Sequence, residues 1–69
     1  MKIGDYIFNK GNYILIVGNI ININYNHYDI KVLKSYNNQW DDFIVSFGVD
    51  YIKRHYRTIT NEEAMLEIL

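Results

Sequence analysis

The chain contains no cysteine and no proline, and it has one alanine among its 69 residues. Without cysteine no disulfide can staple so short a chain, and thiols say nothing about compartment. Without proline, and with only four glycines, there is little room for long, stiff loops. Excess charge of one sign is also missing: 7 Lys and Arg stand against 8 Asp and Glu, a net charge of -1. A dedicated nucleic-acid binder usually carries a basic surplus, so the balance argues against that role while leaving room for a local patch. No apolar run approaches the length of a membrane span. Met1-Lys2-Ile3-Gly4-Asp5 has a charge but neither the apolar core nor the cleavage site of a signal peptide. A cytoplasmic protein with no membrane association is expected.

What is present is strand-forming. Nearly half the residues are apolar, with twelve isoleucines and seven tyrosines, types that favour strands. At this length one domain is the most the chain can build, near the limit for a single unaided core. The core must be dense, or a partner or second copy must add to it. The surplus of isoleucine, tyrosine and asparagine is the signature of AT-rich codons, which points to a low-GC bacterium or to a phage or mobile element living in one. The nine asparagines are scattered, not massed as an aggregation-prone tract.

The organising stretch is Trp40 to Arg57. Phe43, Val45 and Phe47 alternate with Asp42, Ile44 and Ser46, the period of a strand with one face fully buried. Gly48 ends the run, and Val49, Ile52 and Tyr56 follow at helical spacing, so a strand, one tight turn of helix and a last strand are expected. Before it, residues 3 to 8 read as a short strand with Ile3, Ile7 and Phe8 buried. Asn9-Lys10-Gly11-Asn12 reads as a turn. Tyr13 to Val17 carries apolar residues on both faces, which suits a central strand or one curled so that each face is covered in a different part. Gly18 marks a bulge or a bend, and strand character resumes through Ile21, Ile23 and Tyr25. After a turn at 24–27, Tyr28, Ile30 and Val32 point inward with Asp29 and Lys31 outward, and Asn37-Asn38-Gln39 turns the next hairpin. At the end of the chain, Thr60 and Glu63 fit a capping box. Met65, Ile68 and Leu69 then form an apolar stripe widened by Leu66. A helix this short must dock, either plugging an open barrel end or meeting a partner or a second copy.

Five short strands with a helical turn between the fourth and fifth resemble the small SH3-like barrel. The resemblance rests on the hairpin 28 to 47 followed by Val49-Asp50-Tyr51-Ile52-Lys53, where Tyr51-Ile52 sits at the aromatic-aliphatic pair that leads into the last strand. The opening Ile3-Gly4-Asp5-Tyr6-Ile7 is similar to the entry strand of SH3-like and KOW-type barrels. It covers roughly residues 3 to 58 and implies a mainly β fold: a five-stranded SH3-like barrel with a short C-terminal helix over 60–69. Peptide-binding SH3 domains add an acidic loop, a tryptophan pair and a proline. This chain has a short first turn, one tryptophan and no proline, so polyproline recognition is not implied.

Five sets of residues are weighed for function. Lys53-Arg54-His55-Tyr56-Arg57, with Tyr51 before it, mixes cations and rings that suit phosphates and stacked bases. The alternative is a solvated edge strand guarded by charge, in which Lys53, His55 and Arg57 share one face. Trp40 either caps the core with its indole nitrogen bonded or joins Tyr36, Tyr25 and Tyr28 in an aromatic binding face. Met65, Ile68 and Leu69 are candidates for self-association. Asp41-Asp42, with Asp50 and Asp29, offers oxygens to a hard cation, and His27 and His55 offer nitrogens, but no calcium-loop or zinc spacing is present. Ser35 and Ser46 are the available serine nucleophiles, and neither lies on a Gly-x-Ser-x-Gly elbow. The expectation is a non-enzymatic module with no metal or cofactor. It binds a protein, as a small phage or mobile-element inhibitor of a host or defence protein would. A nucleic-acid-binding barrel and a structural self-associating subunit are the alternatives.

Overall fold

The computed structural model describes residues 1–11 and 14–69. The fold is mainly β: five antiparallel strands in one sheet, with two short helices. The strands are β1 (Tyr6–Phe8), β2 (Leu15–Ile23), β3 (His27–Ser35), β4 (Ile44–Gly48) and β5 (Arg57–Ile59). Helix α1 (Val49–His55) joins β4 to β5, and α2 (Asn61–Ile68) follows β5. The spatial order is β4-β3-β2-β1-β5. The sheet is open, with β4 and β5 as its two edges, so among the described residues a closed ring of strands is not seen.

Each face of the sheet has its own apolar layer. On one, Ile7, Leu15, Ile20, Tyr28, Ile30 and Val32 pack under Ile52 from α1 and Tyr56 just after it. On the other, Phe8, Val17 and Ile59 pack under Ala64 from α2. Adjacent residues such as Ile7 and Phe8 are both buried because alternate side chains enter opposite layers. The long strand β2 crosses between layers at a bulge: its register with β3 shifts on either side of Val17. Gly18 sits at that shift because the backbone there presses on the core. A β-carbon at this position would lie 2.5 Å from Ile30 Cγ2 and 3.2 Å from Leu15 Cδ1. Both alternatives for the run 13–17 are thereby met in the described part, Leu15 onward; Tyr13, like Asn12 of the first turn, lies outside the described residues. Tyr28, Ile30 and Val32 are buried as their alternation requires.

Three expectations are corrected. Ile3 is exposed, because a turn in which Asp5 N–H bonds to Lys2 O and Gly4 takes φ 95° delays the strand to Tyr6. Phe43 is exposed, and Val45 and Phe47 are only partly buried, because β4 is an edge strand and Phe43 precedes it. Lys53, Arg54 and His55 lie in the last turn of α1, not on a strand; cations there oppose the negative end of the helix dipole. The seven-residue α1 therefore leaves β5 only three residues.

The expected capping box of α2 is present. Glu63 N–H donates to Thr60 Oγ1 at 3.1 Å, and Thr60 N–H donates to Glu63 Oε1 at 3.0 Å. The helix does not plug a barrel end. It lies on the sheet face over β1 and β2, seated by Ala64, while Lys34 Nζ donates to the Glu67 carbonyl at 2.6 Å. Its Met65, Leu66, Ile68 and Leu69 are exposed.

Candidate functional site

The candidate site is built by the loop between β3 and β4. Ser35 ends β3 almost fully buried. Its N–H and its hydroxyl both donate to Asp41 Oδ1, at 2.9 and 2.7 Å, and its Oγ accepts the Trp40 N–H at 2.9 Å. Three residues in this loop take left-handed backbone angles, Asn37 (φ 56°), Asn38 (φ 58°) and Asp42 (φ 70°). Asn and Asp are the non-glycine residues that adopt that region most readily. The loop is thus pinned at both ends around one buried serine.

What the loop presents is Trp40. Its ring meets Phe43 edge-on, with centroids 5.4 Å apart and planes at 89°, a favoured geometry for an aromatic pair. Beneath it opens an apolar depression of about 280 Å³ lined by Ile14, Leu15, Val32, Trp40, Val45 and Phe47. Leu15 and Val32 are core residues, so the depression reaches the inner layer of the fold. Of its lining Ile14 is more than half exposed, as is Phe43, the ring partner of Trp40. Tyr36 in the same loop is 60% exposed, and Ile44, also exposed, alternates with Val45 and Phe47 to the other side of β4. Trp40 itself keeps 39% of its surface exposed. It neither disappears into the core nor stands free; it forms a wall.

The other candidates fall elsewhere. Tyr51 stacks on Phe47 (5.4 Å, 29°) and tilts against His55 (4.9 Å), so it extends the inner layer. Tyr56 is buried, and its hydroxyl donates to Leu15 O, which removes it from any binding surface. Lys53 and Arg54 are exposed on α1. Arg57, on β5, holds its guanidinium 5.1 Å from the Phe8 ring centre. The basic cluster is therefore split between two elements. Tyr25 is fully exposed at the β2–β3 turn, away from Trp40's depression, and Tyr28 is core. Met65 and Ile68 lie on α2 and Leu69 at its C-cap; the helix packs on the opposite sheet face from α1.

Asp29 anchors a polar cluster on the outer side of β2, β3 and β4. It accepts from the Ser46 hydroxyl at 2.6 Å and from Asn22 and Asn24 amides at 3.3 Å, with His27 3.8 Å away. The Ser46 bond, then those of the asparagines, hold its carboxyl below the ordinary aspartate value against the opposing effect of desolvation. Among the described residues no three His, Asp or Glu side chains gather as a metal site, and no helix is long and apolar enough to cross a membrane.

Sequence reasoning did not find the lock formed by Ser35 and Asp41, nor the roles of Ile14 and Val45 as lining. Ile14 had a signal: in the pair Ile14-Leu15 at the start of a strand, one side chain must face away from the other's layer. Ser35 and Asp41 had none, because they are ordinary turn residues until their contact is seen. No protein-family model, curated protein or solved structure matches this chain.

Proposed function

We propose that this chain is a non-enzymatic protein-binding module that takes an apolar side chain of a partner protein under Trp40. The observation that carries the reading is the wholly apolar depression of about 280 Å³ walled by a tryptophan whose backbone is pinned. Aromatic anchors beside a pocket are the composition of interface hot spots, and an open apolar cleft on a small domain is a recognition feature. The strand order and the helical link from β4 to β5 support a finer description, an SH3-like barrel left open along one seam. The AT-rich residue bias supports a bacterial or mobile-element setting, in which the partner is a host or defence protein. Lys53 and Arg54, adjacent on one helical turn, support the second reading, a nucleic-acid-binding barrel.

The test compares capture from a low-GC bacterial lysate by the wild-type chain and by Trp40→Ala and Ile14→Ser variants whose circular dichroism is unchanged. A protein retained at high salt by the wild type and lost by both variants supports the module. Labelled oligonucleotides bound only at low salt, and released by Arg54→Ala/Arg57→Ala, favour phosphate contacts, which weaken steeply with salt. Neither result, with a dimer in sedimentation, turns the function toward a structural subunit.

A further inference from the structure

The hydrogen bonds at the two ends of β4 fix the phase of its ladder. Val32 N–H donates to Phe43 O at 2.8 Å, and Val49 N–H donates to Asn26 O at 3.0 Å. Between them the register runs Lys31 to Ile44, Ile30 to Val45, Asp29 to Ser46 and Tyr28 to Phe47. In an antiparallel pair, residues that exchange bonds with the neighbour alternate with residues whose N–H and C=O point away. Counting inward from Phe43 and Val49, Val45 and Phe47 turn their backbone groups to β3. Ile44 and Ser46 turn theirs outward, as Gly48 does its N–H. β4 is a sheet edge, so among the described residues the outward N–H groups of this row face no strand of the sheet, while the carbonyl of Gly48, the N-cap of α1, is given to the first turn of that helix.

Most natural edges are blunted by brevity, charge or proline. The edge β5 has three residues, one of them Arg57. In contrast, Ile44-Val45-Ser46-Phe47-Gly48 contains no charge and no proline. It lies beside the depression under Trp40, to which Val45 and Phe47 contribute. The charges next to it in the chain are acidic, Asp42 just before β4 and Asp50 just after it. On the neighbouring strand Asp29 is bonded to Ser46 and Lys31 stands opposite Ile44, and Lys53 and Arg54 lie one helical turn beyond Asp50.

The pairing of β4 with a second copy that uses the whole strand is centred on Ser46, and there the flanking acids oppose it. If two copies paired β4 with β4 antiparallel about Ser46, Asp42 of each would face Asp50 of the other. Like charges directly opposed destabilise a sheet, and here they would occur twice. We infer that β4 is a strand-addition site for an extended segment of a partner protein, apolar on the side facing Val45 and Phe47 and carrying Lys or Arg at its ends. Main-chain bonds to Ile44, to Ser46 and to the Gly48 N–H supply affinity, and the depression supplies side-chain selection. This rests on the protein-binding reading above and adds the partner's backbone conformation and charge.

The probe is an end-blocked peptide, Lys-Val-Thr-Val-Thr-Val-Thr-Val-Lys, titrated into ¹⁵N-labelled protein, with a counterpart ending in Glu at both termini. The expected result is slowed amide exchange at Ile44, Ser46 and Gly48, a shifted Trp40 indole signal, and several-fold weaker binding of the Glu-ended peptide. Asp42→Asn/Asp50→Asn should abolish that preference without unfolding the chain, since asparagine also accepts the φ of 70° at position 42. A peptide N-methylated at alternate residues should not bind. A shifted Trp40 signal with unchanged exchange at the three β4 amides overturns strand addition and leaves the Trp40 site standing. Equal binding of the Lys- and Glu-ended peptides overturns the assigned charge. No change at Trp40 or at β4 overturns the inference outright, while the lysate comparison still decides the module.

Discussion

The Tyr56 hydroxyl donates a 2.7 Å hydrogen bond to the Leu15 carbonyl oxygen, a buried contact between residues 41 apart in sequence. It ties the exit of α1 to the start of β2, at the floor of the depression under Trp40. Asn9 makes a second tie, its side-chain amide donating to the His55 carbonyl at the end of α1. Together they hold the helix that closes the inner layer.

Tyr56→Phe keeps the ring and deletes the first tie. A buried acceptor left without its donor costs about 1–3 kcal/mol. The expected outcome is a lower urea midpoint with an unchanged m-value. A midpoint equal to wild type would mean that water or a neighbour replaces the hydroxyl.

Gly18→Ala should destabilise by about 1–3 kcal/mol, the range for overpacking a filled core. The added carbon would sit 2.5 Å from Ile30 Cγ2, on a stiff β-branched side chain with no exposed surface. Ile30→Ala alone leaves a cavity. Because each change relieves the other's fault, the double variant should lose less stability than the two singles added together. Strict additivity in chemical denaturation would place the strain elsewhere.

Stability should fall on the acid side through two carboxyls. Asp29 is held below its ordinary value chiefly by Ser46, and Glu63 chiefly by the Thr60 backbone N–H. A folded-state value below the unfolded one contributes stability in full above the ordinary carboxylate range, about pH 4. That contribution is lost as pH falls through the depressed values. Urea midpoints measured from pH 6 to pH 2 should therefore decline below about pH 4. An Asp29→Asn/Glu63→Gln variant should decline less over the same range, and an identical slope would rule these groups out as the source.

How much of this was legible in the sequence depends on how local each cause is. The capping pair Thr60 and Glu63 lies within one turn, and Tyr28, Ile30 and Val32 announce their face by period alone. Phe43, Val45 and Phe47 show the same period, yet only neighbours distant in sequence decide that β4 is an edge and its face half covered. For Lys53 to His55, the spacing of Val49, Ile52 and Tyr56 already indicated a helix; what it did not show was that the helix runs on to His55. Trp40 stood out as the only tryptophan, but its setting depends on Ser35 meeting Asp41 across a turn. The open sheet was hidden for a similar reason, since closure depends on whether β4 reaches β5.

The C-terminal helix shows which apolar residue does the docking. A helix settles closest to a flat sheet where its side chain is smallest, and Ala64 is fully buried against Phe8, Val17 and Ile59. Leu69 is 98% exposed, and Met65 and Ile68 lie at the flanks. Ala64→Leu should therefore cost about 1–3 kcal/mol by forcing α2 off the sheet, seen as faster amide exchange through 61–68. The triple variant Met65→Ser/Ile68→Ser/Leu69→Ser should stay folded, because it leaves the seat untouched. Sedimentation of the triple variant then isolates the helix's outer face. A wild-type dimer that dissociates in the variant, with the fold intact, assigns Met65, Ile68 and Leu69 to self-association. Unfolding of the variant would instead move the seat of the helix from Ala64 to those three residues.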